Sequence, residues 1–62
     1  MTIQEAIELI RQKQEDAMIN ELLYFKAENR LLMEKEYSKV QAYKEVLSIL
    51  SEVLDNDNTR NI

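Results

Sequence analysis

The side chains with catalytic potential in this chain are the hydroxyls of Ser38, Ser48 and Ser51 and two acidic pairs, Glu34 with Glu36 and Glu5 with Glu8. A serine nucleophile needs a base beside it and donors aimed at the developing oxyanion. The chain holds no histidine to act as that base and no glycine to build the sharp turn that would present the hydroxyl. The same lack of glycine removes phosphate-cradling loops. Carboxylate pairs can hold magnesium or divide acid and base roles, but glutamates on a solvated helix face share this spacing, and nothing in the sequence builds a concave site around either pair. With neither cysteine nor histidine, disulfides and the usual zinc, haem and iron–sulfur ligand sets are absent. The sequence therefore assigns no catalytic, cofactor or metal residue, and a non-enzyme is expected.

Charge narrows the partners. Eight basic against 12 acidic residues leave a net charge of −4, whereas a nucleic-acid binder normally carries a basic stripe. Acidic and basic residues interleave in Lys26, Glu28, Arg30, Glu34, Lys35 and Glu36. A mixed helix face of this kind lacks the continuous row of carboxylates that an acidic nucleic-acid mimic requires. The longest apolar run, Leu22 to Phe25, is far short of the roughly 18 residues that span a bilayer. Met1 to Glu5 lacks a basic segment ahead of an apolar one, so no signal peptide is read. An interfacial anchor would favour lysine and arginine on its polar face, where glutamate leads here. A soluble, cytoplasmic protein without membrane or nucleic-acid partners is expected.

The elements that would position these residues are helices. Glycine and proline are both missing, and Ala, Leu, Glu, Lys, Gln, Arg and Met dominate. Thr2-Ile3-Gln4-Glu5 has the form of a capping box, in which the threonine hydroxyl and the glutamate carboxylate each satisfy the other residue's amide. Ser38-Lys39-Val40-Gln41 has the same form and precedes a clean apolar series. This predicts a long helix over about 3–35, roughly 50 Å at 1.5 Å per residue, a break near 35–38, and a second helix over about 39–54. The alternative is an uninterrupted helix with Ser38 at its surface. The polar stretch Arg11 to Asp16 admits a solvent crossing or a bend capped by Asp16. The domain is read as 1–54, followed by a flexible polar tail over 55–62.

Apolar spacing predicts how the helices pack. Val40, Tyr43, Leu47, Leu50 and Leu54 follow alternating steps of three and four, and Val46, Ile49 and Val53 widen that seam. Ile3, Ile7, Ile10, Gln14, Met18, Leu22, Phe25, Asn29 and Leu32 form a second stripe. Asn29 falls at a position where a buried asparagine can fix register, or at a stripe edge open to water. A short helix folded onto one twice its length covers half of it, leaving Ile3, Ile7, Ile10 and the region of Met18 exposed in a single copy. A chain this small is marginal alone. An all-α helical hairpin pairing with a second copy into a homodimeric four-helix or coiled-coil-like bundle is expected. Its self-association residues would be Ile3, Ile7, Ile10, Met18, Leu22, Phe25, Asn29, Leu32, Val40, Tyr43, Leu47, Leu50 and Leu54.

Ile19, Leu23, Tyr24 and Leu31 lie off that stripe, so the middle of the chain is apolar on two faces. Either both neighbours are helices of the same assembly, or these residues form a docking surface for a different protein.

The segment Lys39 to Leu54, KVQAYKEVLSILSEVL, resembles the closing helix of small, acidic, coiled-coil-rich proteins encoded by phages and prophages of low-GC Gram-positive bacteria. The resemblance implies a small protein that binds and inhibits or redirects a bacterial protein in the host cytoplasm, such as a defence nuclease, a replication factor or a regulator. It carries over no functional residue, since that class shares no motif. The alternatives are a purely structural oligomerisation module and, behind it, the acidic mimic.

Overall fold

The computed structural model describes the backbone of residues 1–60 and the side chains of residues 1–56. Two helices form an antiparallel hairpin: α1, Ile3–Lys26, of 24 residues, and α2, Arg30–Arg60, of 31 residues. The rod measures 52 × 15 × 13 Å over its Cα atoms, so it is one layer of two helices. Among the described residues no helix is long and apolar enough to cross a membrane.

The first capping box forms as expected. Thr2 Oγ1 accepts from the Glu5 amide at 3.1 Å, and Glu5 Oε1 accepts from the Thr2 amide at 3.3 Å. The chain then stays helical through Arg11 to Asp16, with Gln12 Nε2 donating to Asp16 Oδ1 one turn on at 3.2 Å. The helix therefore does not restart there, and Asp16 caps no separate helix.

The turn lies where the sequence reading did not put it. The expected helix over 3–35 ends at Lys26, and α2 starts at Arg30 in place of Lys39. The Asn29 amide donates to the Tyr24 carbonyl at 2.9 Å and the Glu28 amide to the Phe25 carbonyl at 3.1 Å. These two bonds make a Schellman motif, whose penultimate residue must adopt a left-handed conformation. Glu28 does so, with φ 58, although glycine or asparagine is the usual occupant. Asn29 then caps α2, its Oδ1 accepting from the Leu32 amide at 3.3 Å, so it neither fixes register in a seam nor edges a stripe. Ser38, expected as a cap, is an exposed residue inside α2, where its hydroxyl donates to the Glu34 carbonyl at 3.1 Å. A serine this far into a helix finds its partner one turn back and leaves the ladder intact. Asp55 and the following residues to Arg60, expected as a tail, continue α2; residues 61–62 lie outside the described residues.

Folding back at Ala27 to Asn29 lays α2 along α1, with one row of covered residues on each helix: Ile3, Ile7, Ile10, Gln14, Ala17, Glu21 and Tyr24 on α1, and Met33, Glu36, Val40, Tyr43, Leu47, Leu50 and Leu54 on α2. Each row advances by alternating threes and fours, as an antiparallel coiled coil requires, and each of these residues is buried or half-buried. The expected exposure of Ile3, Ile7 and Ile10 in a single copy does not hold, because α2 is long enough to cover all of α1. The second-helix seam from Val40 to Leu54 is present as read.

Candidate interaction surface

The seam changes character along its length. Toward the open end its layers are isoleucine against leucine. Toward the turn the covered residues are Ala17 and Glu21 on α1 and Val40 and Glu36 on α2. Glu36 is only 7% exposed, and its Oε1 accepts from Lys39 Nζ at 3.1 Å. Glu21 is half-buried and has no side-chain partner among the described residues.

The large apolar side chains of the turn half lie beside the seam. The sequence stripe from Ile3 to Phe25 advances about 3.7 residues per step, whereas a coiled-coil seam advances 3.5. It therefore begins in the seam at Ile3 and drifts onto one flank of α1 by Met18. Met18, Leu22 and Phe25 line one wall of an open groove of about 430 Å³; Met33, Tyr37 and Val40 of α2 line the other, and Glu21 is the one charged residue in the lining. Phe25 and Met33 also line a second concavity at the turn, with Lys26 and Arg30 at its rim. The two concavities share the walls formed by Phe25 and Met33.

The residues assigned from sequence to self-association divide into two sets. Ile3, Ile7, Ile10, Leu32, Val40, Tyr43, Leu47, Leu50 and Leu54 are buried or half-buried within one chain, whereas Met18, Leu22 and Phe25 are 53% to 65% exposed in the groove. Asn29 is exposed at the turn.

The four residues read as a docking face do not meet. Tyr24 is half-buried in the seam, Ile19 and Leu23 are more than half exposed on α1, and Leu31 stands 77% exposed over a shallow depression formed within α2. Sequence reasoning missed Met33 as a groove residue, whereas Tyr37 was a further candidate for the docking surface. The signal for Met33 was its four-residue spacing from Tyr37, hidden because it fell on the approach to the expected break. A further apolar row, Val46, Ile49 and Val53, is exposed on the opposite flank of α2 nearer the open end.

Among the described residues no group of three or more potential ligands is placed to hold a metal ion, and the lining of the groove offers no nucleophile with a base beside it. What the groove offers is apolar area shaped by two helices, which suits packing against other helices. Comparison with protein-family models, with curated proteins and with solved structures finds no match.

Proposed function

We propose that this chain is a non-enzymatic, self-associating helical module, two hairpins combining into a four-helix bundle. One observation carries the reading. The chain exposes 5122 Å², whereas a folded monomer of 7.4 kDa exposes about 4,200 Å². The chain therefore hides less of its surface than a compact monomer of its mass, as a subunit that packs against another does. The sparse interior agrees with it. Buried apolar residues are limited to Ile7, Ala17 and Val40 among the described residues, and no large side chain there is fully buried.

Sedimentation equilibrium from 1 to 100 µM tests the reading. A reversible dimer is expected, and a particle of 7.4 kDa throughout that range refutes it.

A second reading adds capture of a different protein, as an inhibitor or adaptor of a bacterial target. It is favoured by Ile19 and Leu23, two large apolar side chains one turn apart on α1 and more than half exposed. Leu23→Asp should then keep the dimer and lose the captured protein; capture that survives this change refutes the docking face.

A further inference from the structure

We infer that the hairpin is one of two forms of this chain, which exchange through the turn. In the second form Ala27 to Asn29 are helical, α1 and α2 join into one rod, and two rods pair antiparallel, α1 of each copy on α2 of the other. The inference does not need the pairing of hairpins proposed above, and its test separates the two.

The hinge is short, strained and made largely of helix formers. Three residues join α1 to α2, and Glu28 sits at φ 58, a region that disfavours a Cβ. Ala27 and Glu28 both favour helix, and the chain has no glycine or proline to hold the bend. Bending also creates two helix ends, whose backbone amides and carbonyls lose their helical partners. The Schellman bonds and the Asn29 cap meet part of that need; a continuous helix removes it. Short connections under strain are where copies of a chain exchange elements.

The apolar pattern is already in phase for the opened form. The stripe that begins at Ile3 passes through Met18, Leu22, Phe25, Asn29 and Leu32 and runs on into the α2 seam from Glu36 to Leu54. Over this whole length it advances about 3.6 residues per step, the pitch of a straight α-helix, so one rod carries it on one face through the turn. A hairpin has no use for that continuity, because its turn sets the phase of α2 against α1. In the hairpin Met18, Leu22 and Phe25 are more than half exposed; in the paired rods they belong to the face that packs. The covered rows from Ile3 to Gln14 and from Tyr43 to Leu54 serve both forms, and only the copy that supplies them changes. Asn29 stands at the midpoint of the stripe, so the two-fold axis of an antiparallel pair passes beside it and its amide can bond to that of the partner, fixing register.

What favours the hairpin is that its two helices are already joined. Bringing separate copies together costs freedom, which concentration offsets. The hairpin therefore holds at low concentration, and the exchanged pair gains as concentration rises. The groove exists only in the hairpin, so exchange withdraws it.

Pulsed electron paramagnetic resonance on the full chain tests this. Because the chain has no cysteine, Glu8→Cys with Glu52→Cys, both at exposed positions, carries two spin labels. Annealing with an excess of unlabelled chain confines the reading to distances within one copy. The hairpin keeps the labels within about 25 Å, since packed helices lie about 8–10 Å axis to axis. The opened rod sets them on the order of 65 Å apart at 1.5 Å per residue. The long distance should grow with concentration across the sedimentation range. Asn29→Leu, which removes the cap and fills the stripe, should tighten the exchanged pair about 100-fold, about tenfold for each of its two hinges. Glu28→Gly, which relaxes the bend and disfavours the helix, should weaken it by a similar factor. A short distance alone, beside a dimer in sedimentation, overturns the exchange and leaves the pairing of hairpins standing. A short distance in a chain that stays monomeric removes both. A long distance that neither variant moves overturns the role of the turn.

Discussion

Replacing Glu28 by glycine should stabilise the hairpin, and the same change would destabilise the uninterrupted helix that the sequence suggests. Glu28 occupies the left-handed region at φ 58, where a Cβ approaches the following carbonyl at a cost of about 1–2 kcal/mol. Glycine escapes that contact but gives up about 0.5–1 kcal/mol of unfolded-state entropy. The net gain is about 0.5–1 kcal/mol, or roughly 3–6 °C in Tm for a domain of this size. Alanine at the same position is the decisive control. It removes the carboxylate as glycine does but retains the Cβ, so it should give none of the gain. Were residues 27–29 helical, the order would reverse, with alanine above glycine by about 1 kcal/mol. Circular dichroism melts of both variants at one fixed protein concentration, since pairing shifts the apparent Tm, decide the matter. A glycine variant that melts at or below the alanine variant refutes the turn.

Two further changes follow from the same geometry. Asn29→Ala should cost about 1 kcal/mol by removing the acceptor for the Leu32 amide, seen as a lower urea midpoint at unchanged slope; an unchanged or raised midpoint would remove Asn29 from the cap. Glu36→Leu should raise the same midpoint by the equivalent of about 1–3 kcal/mol, because a seam carboxylate 7% exposed and held by one lysine is replaced by a side chain that fills the layer. A lowered midpoint would mean that the pair with Lys39 outweighs the burial it requires.

Much of the fold is legible before any coordinates. The Thr2 box, the all-helical content and the Val40 to Leu54 seam all rest on local chemistry or a clean heptad, and each is present. The turn is not legible, because its left-handed residue is a glutamate. The bonds that define it run between backbone atoms of Tyr24, Phe25, Glu28 and Asn29, and their side chains do not announce them. Asn29 also happens to continue the spacing of the apolar stripe, so a residue that ends one helix and starts another reads as part of one surface. The seam of the turn half is hidden for a different reason. Ala17, Glu21 and Glu36 occupy its heptad positions, while larger apolar residues one place along draw the eye to the flank. The stripe is real, but it marks the seam at one end of α1 and the groove at the other.

The turn and the groove are coupled through register. Each residue added to or removed from Ala27 to Asn29 would rotate α2 by about 100° and shift it by 1.5 Å. A rotation of that size carries Met33, Tyr37 and Val40 off the groove wall and brings other residues of α2 into the seam. The aligned apolar walls therefore depend on the three residues between the helices. The isoleucine and leucine layers of the open end cannot fix this register alone, because aliphatic layers one heptad apart are alike. The Schellman bonds and the Asn29 cap distinguish one register from the rest, at the expense of a strained glutamate. That strain is tolerable because two carbonyls, a capping amide and the alignment of both groove walls depend on the same three residues. Relieving it with glycine should stabilise the chain without moving the walls, whereas lengthening the turn should leave two helices that still pair at their open end but no longer present one groove.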